Sequence, residues 1–118
     1  MLLALAGCAS PRGASAQRVE HVVLVKLREP GAAPELVAAC QRELAGLASV
    51  SRCRVGRPLD IGRPEVAADW DVGLVIEFDS VADYQRYLAD ERHAALVTAW
   101  KPRWERITIQ DVLVDFAD

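Results

Sequence analysis

The sequence has few aromatic residues, a small net charge and no long apolar run. Its 118 residues are 6% aromatic, 52% apolar and 26% charged, with a formal net charge of −3. No stretch approaches the roughly 20 apolar residues that a membrane-spanning helix needs. The slight acidic excess argues against nucleic-acid binding, and the high apolar content argues against intrinsic disorder. The length therefore predicts one domain with a small aliphatic core.

The first eighteen residues follow neither a strand pattern nor a helix pattern. Leu5-Ala-Gly-Cys8 resembles the bacterial lipobox, in which a peptidase cuts before a cysteine whose thiol then carries a lipid. Residues 9–18 are typical of a flexible tether, although seven residues before Cys8 are too few for a complete signal peptide. We expect residues 1–18 to be a signal remnant and tether, with Cys8 lipidated and the protein anchored to the bacterial cell envelope. The alternative is a cytoplasmic protein with a disordered N-terminus.

Residues 19–118 alternate between strand-like and helix-like patterns. Strand patterns cover 19–27, 53–55, 70–78 and 107–114; helix patterns begin at Pro34 and after Ser80, the second continuing from His93 to Lys101 until Pro102 ends it. The order strand, helix, strand, strand, helix, strand predicts an α+β domain built as a ferredoxin-like split β-α-β unit. We expect a four-stranded antiparallel sheet with helices on one face.

The first predicted strand is apolar on both of its faces. Val23 and Val25 point one way, and Val22 and Leu24 point the other. Helices cover only one face of such a sheet, so we expect a second copy of the chain to cover the other. The sequence thus predicts a two-fold homodimer.

Histidine is scarce, and it is the side chain whose ordinary pKa lies closest to neutrality. His21 shares a strand face with Val23, on the side predicted to face the helices. Tyr87 lies on the apolar stripe of the second helix, and His93 follows it by six residues. This spacing lets Tyr87 and His93 overlook the sheet face that carries His21. An imidazole and a phenol beside aliphatic walls could abstract an acidic α-proton and stabilise the resulting enolate.

Each of these residues also has a purely structural interpretation. His21 could be a buried histidine whose hydrogen bonds are satisfied within the fold. His93 could cap a helix or be solvated, and Tyr87 could be a core residue with its hydroxyl bound to a backbone carbonyl.

Several common functional motifs are absent from the sequence. It has no Gly-rich phosphate loop, no serine elbow and no pair of carboxylates placed for acid–base work. It has no Cys/His spacing for zinc, so we expect neither a metal nor a cofactor. Cys40 and Cys53 are expected to be buried free thiols, with a disulfide as the alternative.

An ordered set of short stretches resembles the stress-responsive α/β-barrel (Dabb) domain family. The matching stretches are His21-Val-Val-Leu-Val-Lys-Leu27, Val55-Gly-Arg-Pro58, Trp70 through Ser80, Tyr87-Leu-Ala-Asp-Glu-Arg-His93, Trp104 and Asp111-Val112. The tyrosine six residues before a histidine is the most informative of them. The resemblance covers about four-fifths of the chain, from His21 to Asp115. It implies a ferredoxin-like dimer whose two sheets close into a barrel.

The resemblance also implies roles for particular residues. By analogy with polyketide-cyclising members, His93 would be the general base and Tyr87 would bind or polarise the substrate carbonyl. Asp111 would orient a pocket group. The substrate pocket would be lined by His21, Val23, Leu36, Leu74 and Leu96. The chain departs from those members where their aromatic pocket residues are replaced by Leu36, Val37 and Cys40, which changes the pocket volume and removes stacking surface.

We therefore expect residues 19–118 to form a small dimeric domain that binds a small hydrophobic or carbonyl compound between the sheet and the helices. Contact with a membrane is expected only through the lipid anchor. The alternative is a cofactor-free enzyme with cyclase-like aldol, lyase or monooxygenase chemistry that uses Tyr87 and His93. A third interpretation is a structural dimer whose pocket is filled by side chains.

Overall fold

Alternating β-branched and apolar residues form the strands of this protein, and amphipathic segments form its helices. The computed structural model describes residues 17–118. Its elements are β1 (Val19–Leu27), α1 (Ala33–Leu44), β2 (Arg52–Gly56), β3 (Val72–Phe78), α2 (Val81–Ala89), α3 (Glu91–Trp100) and β4 (Trp104–Leu113). Short 3-10 turns precede α1 and follow α3. None of the helices in residues 17–118 has the length and apolar character needed to cross a membrane.

The four strands form one antiparallel sheet in the order β2-β3-β1-β4. This arrangement confirms the ferredoxin-like fold that the order of elements predicts. β1 lies in the middle of the sheet, where His21 is directly opposite Ile76 of β3 and Asp111 of β4. The register therefore brings together two polar residues that lie at opposite ends of the domain sequence.

The sheet buries one face against the helices. On β1, Val19, His21, Val23, Val25 and Leu27 are buried, whereas the residues between them are half-buried. β3 alternates in the same way, and α1 closes this side with Leu36, Ala39, Cys40 and Leu44. The opposite side of the sheet, here called the open face, has no helix over it among the described residues. Its central positions include Val22, Leu24 and Val75.

Two details of the fold differ from the sequence prediction. The helical stretch that was expected to continue from Ser80 to Lys101 is broken at Asp90, whose backbone is extended (φ −70°, ψ 135°). The Asp90 carboxylate accepts a hydrogen bond from the Arg92 amide at 2.8 Å and so caps α3. Leu88, one residue before the end of α2, is 48% exposed.

The strand predicted to begin at Trp70 begins instead at Val72. Trp70 folds back onto the open face, and its indole nitrogen donates to the Ala67 carbonyl at 2.9 Å. A Cβ atom added at Gly73 would lie 2.9 Å from this indole ring. Glycine is therefore required at residue 73 for the tryptophan to pack against the sheet.

Candidate functional site

A cavity of about 250 Å³ lies between the sheet and the three helices. It is lined by His21, Val23, Val25, Leu36, Cys40, Leu44, Leu74, Tyr84, Tyr87, Leu88, His93, Leu96, Val97, Trp100, Trp104, Ile107 and Ile109. Its volume is slightly below the usual range for small-molecule pockets, about 300–1,000 Å³, so it would suit a small ligand. Leu36, Leu96 and Trp104, which could have filled it, lie in its walls instead.

The structure brings most of the predicted site residues to this one cavity. Seven of them line it: His21, Val23, Leu36, Leu74, Tyr87, His93 and Leu96. Asp111 is not in the lining and instead contacts His21 from the neighbouring strand. Cys8 lies outside the described residues. The chemical roles assigned to these residues stay predictions.

Each polar side chain reaches the cavity through its position on a regular element. His21 is the third residue of β1 and points toward the helices, with only 4% of its surface exposed. Tyr84 and Tyr87 are three residues apart on α2 and so lie on the same side of that helix. His93 is in the first turn of α3, directly after the break at Asp90. The break thus determines where His93 enters the cavity wall.

His21, Asp111 and Tyr84 form a hydrogen-bonded network at the polar end of the cavity. The Nδ1 atom of His21 is 2.5 Å from Oδ1 of Asp111, and the Tyr84 hydroxyl donates to Oδ2 of the same carboxylate at 2.7 Å. The Tyr84 oxygen is also 3.0 Å from Nδ1 of His21. Because a carboxylate only accepts, Nδ1 carries a proton, and in the neutral imidazole Nε2 keeps its lone pair.

The network controls the charge of its members. Partial burial alone would raise the pKa of Asp111, but hydrogen bonds from His21 and Tyr84 outweigh it and leave the pKa below its usual range. Burial and the hydrogen bond to Asp111 raise the pKa of Tyr84. At neutral pH, Asp111 is therefore ionised and Tyr84 is an uncharged donor.

His93 and Tyr87 form a second polar pair on the cavity wall. Their ring centres are 4.4 Å apart. Nδ1 of His93 is buried and has no hydrogen-bond partner among the described residues. Burial lowers the pKa of His93, so the imidazole is uncharged at neutral pH. Tyr87 is 2% exposed, and burial raises its pKa.

Cys40 and Cys53 are free thiols, as expected from the sequence, but only Cys40 is buried and Cys53 is half-buried. Burial, with a smaller contribution from Cys53, raises the pKa of Cys40 to about 12, so its thiol is protonated and unreactive at neutral pH. Within residues 17–118, no cluster of three or more His, Cys, Asp or Glu side chains is placed to hold a metal ion.

Sequence reasoning did not identify Tyr84 as a site residue. The available signal was its spacing of three residues from Tyr87, which puts both hydroxyls on one helix face. Its partner Asp111 is distant in sequence, so only the strand pairing reveals the contact.

Comparisons with known proteins agree with this fold. Residues 19–114 match the family model described as "Stress responsive A/B Barrel Domain". No curated protein matches the chain.

Solved structures with the same fold share little sequence with the chain. A Dabb family protein with a ferredoxin-like fold from Mesorhizobium loti is 21% identical, with a TM-score of 0.70 over 83% of this chain and 97% of its own. A dimeric ferredoxin-like protein of unknown function from Thermobifida fusca is 16% identical, with a TM-score of 0.69; the match covers 84% of this chain and 92% of that protein. SnoaB, a cofactor-independent oxygenase from Streptomyces nogalater, is 14% identical, with a TM-score of 0.66; the match covers 86% of this chain and 97% of SnoaB.

At these identities the solved structures establish the fold alone, whereas the family match extends over nearly all of the described residues. It includes the strand that carries His21, the helices that carry Tyr87 and His93, and the strand that carries Asp111. The chain belongs to the stress-responsive A/B barrel (Dabb) domain family.

Proposed function

We propose that this protein binds a small, mostly apolar molecule with one carbonyl or hydroxyl group in the cavity between the sheet and the helices. The observation that carries the proposal is the composition of the cavity. Aliphatic and aromatic side chains form most of its wall, and His21, Tyr84, Tyr87 and His93 line the same cavity. Pockets of this kind obtain affinity from apolar contact and orientation from a few polar groups.

Direct titration tests the proposal. We expect octan-2-one to bind to the purified protein in isothermal titration calorimetry. Leu96→Trp adds volume inside the cavity wall and should weaken binding by about tenfold or more. The matched control is Val81→Trp, at an exposed position that is not part of the lining. Equal affinities in both variants, or no binding to the unaltered protein, would contradict the proposal.

A second candidate function is cofactor-free acid–base catalysis. The specific observation in its favour is that His93 lines the cavity with an uncharged imidazole, whose ring centre is 4.4 Å from that of Tyr87. An uncharged imidazole there could take a proton from the carbon next to a bound carbonyl, and Tyr87 could donate a hydrogen bond to the enolate oxygen. A structurally similar protein is described as a cofactor-independent oxygenase.

Deuterium exchange measures this chemistry without knowledge of the natural substrate. In D₂O, the protein should accelerate the exchange of the α-protons of octan-2-one for deuterium. Proton NMR measures the exchange rate from the loss of the α-proton signal. His93→Gln and Tyr87→Phe should each reduce the rate by about a hundredfold, a typical contribution of a positioned acid or base. Unchanged rates in both variants would remove these two residues from the mechanism.

We further propose that two copies of the chain pair through the open face. The apolar residues Val22, Leu24 and Val75 would lie at the centre of this contact. Support comes from the absence of a helix over this face in residues 17–118 and from the dimeric ferredoxin-like protein of Thermobifida fusca.

The lipid anchor expected at Cys8 is also a proposal, supported by the Leu5-Ala-Gly-Cys8 pattern. It would place the protein at the bacterial cell envelope. Metabolic labelling with a radioactive fatty acid in a bacterial expression host should mark the unaltered protein and not Cys8→Ser. Equal labelling of the two would contradict the anchor.

A further inference from the structure

The cavity contains no free positive charge. None of its seventeen lining residues is lysine or arginine. Arg103 lies beside the cavity, with its guanidinium 4.0 Å from the Trp100 ring centre. Both of its terminal nitrogens donate hydrogen bonds to the Glu35 carboxylate, each at 3.1 Å. Arg92, which follows the break at Asp90, is paired with Glu43 at 3.2 Å. These two arginines beside the cavity thus have carboxylate partners of their own.

The polar end of the cavity has a negative or zero net charge. Asp111 contributes one negative charge. If His21 is neutral, the pair that it forms with Asp111 is negative; if His21 is protonated, the pair is neutral. His93, Tyr84 and Tyr87 are uncharged at neutral pH. In neither protonation state of His21 is positive charge left over for a ligand.

An anionic group entering this end would therefore lose its hydration without gaining a counter-ion. Desolvation of an unpaired charge is among the most unfavourable steps in binding. An uncharged oxygen has suitable partners there instead, because imidazole and phenol groups accept and donate hydrogen bonds.

We infer that the ligand's polar group at His21 is uncharged: a ketone, an aldehyde or an alcohol, and not a carboxylate or a phosphate. This inference rests on the proposed function and adds that the site excludes anionic ligands. It assigns Asp111 a second role beyond orienting His21, since its charge also selects against acids.

A series of ligands with equal chain length tests the inference. Octan-2-one, octan-1-ol and octanoate have the same number of carbons and differ in charge. At neutral pH, calorimetry should give octanoate a dissociation constant about tenfold or more above that of either neutral ligand. The measurement uses the unaltered protein and so does not depend on whether any variant folds.

Asp111→Asn should reduce this preference for neutral ligands, measured as the ratio of octanoate to octan-2-one dissociation constants, by about tenfold. Removal of the carboxylate takes its negative charge away from the polar end of the cavity, so octanoate is no longer repelled by it. Asp115→Asn, four residues further along the chain, removes the same charge from an exposed position outside the lining and should leave the ratio unchanged.

The possible outcomes separate the inference from the proposed function. If octanoate binds as tightly as octan-2-one, the inference is wrong and the binding function stands. An unaltered ratio in a folded Asp111→Asn protein would also overturn it. If none of the three ligands binds, the proposed function fails and the inference fails with it.

Discussion

His21 shows how the environment of one residue determines its chemistry. One oxygen of the Asp111 carboxylate accepts a hydrogen bond from Nδ1 of His21, and the other accepts a hydrogen bond from the Tyr84 hydroxyl. Two hydrogen bonds on separate oxygens keep this carboxylate in one orientation, although its side chain is 40% exposed. The orientation of the His21 ring is therefore determined by its contact with Asp111, whereas Nδ1 of His93 is buried and has no hydrogen-bond partner among residues 17–118.

The depressed pKa of His93 predicts a pH dependence of stability. Because burial lowers this pKa in the folded state, the unfolded chain binds the proton more readily. The stability contributed by the neutral imidazole is thus complete above the ordinary pKa of about 6.5 and is lost as the pH falls toward the folded value. We expect the free energy of unfolding to decrease more steeply between pH 7 and pH 5 in the unaltered protein than in His93→Gln. Urea denaturation at each pH provides the measurement.

His21→Gln is the control for this prediction, since it removes the other histidine and keeps a hydrogen-bonding side chain. The prediction is refuted if the pH dependence of the unfolding free energy changes in His21→Gln and not in His93→Gln. That result would assign the pH dependence to His21.

At the scale of elements, the break between α2 and α3 places His93 in the cavity wall. Asp90 makes this break by capping α3, with its carboxylate accepting from the Arg92 amide. Asp90→Ala should reduce the free energy of unfolding by about 1 kcal/mol, the usual loss for a removed N-cap, and should also weaken octan-2-one binding because α3 carries His93. Chemical denaturation and calorimetry measure the two effects.

Ser80→Ala is the matched variant, because Ser80 caps α2 through the Asp83 amide at 3.1 Å. It should cost a similar amount of stability and affect ligand binding less. Equal losses of binding in the two variants would show that the break at Asp90 has no special role in the site.

The contact between Trp70 and β3 supports a second prediction at this scale. Gly73→Ala would place a methyl group 2.9 Å from the indole ring and should reduce the free energy of unfolding by about 1–3 kcal/mol. Gly56 is its direct partner on β2 and has nothing within 4 Å of an added Cβ, so Gly56→Ala should change stability by no more than about 0.5 kcal/mol. Thermal and urea unfolding measure the stability of the two variants. Equal losses of stability would mean that the Trp70 indole does not prevent a larger side chain at residue 73.

At the scale of the whole molecule, the open face is expected to hold two copies together. Val22→Asp puts a charge at the centre of this face and should convert a dimer to a monomer, because an unpaired charge is costly at a buried contact. Analytical ultracentrifugation measures the change. Val81→Asp, an exposed position at the start of α2, is the control and should stay dimeric. A monomeric unaltered protein would contradict the proposed pairing.

Sequence patterns predicted most of the fold because they depend on local periodicity. The alternation in β1 and β3 fixed which residues point toward the helices, and the order of elements then fixed the topology. The break at Asp90 was missed since the residues around it include neither glycine nor proline. The network was missed because His21 and Asp111 are 90 residues apart, so only the pairing of β1 with β4 brings them together.

The central position of β1 has a mechanical consequence. Antiparallel ladders flank it on both sides, with hydrogen bonds that run across the strand. Traction along β1 from its Val19 end would load both ladders in shear, so the strand would leave the sheet only if its bonds to β3 and β4 ruptured together. A domain tethered through Cys8 would therefore be pulled at the strand best placed to resist force.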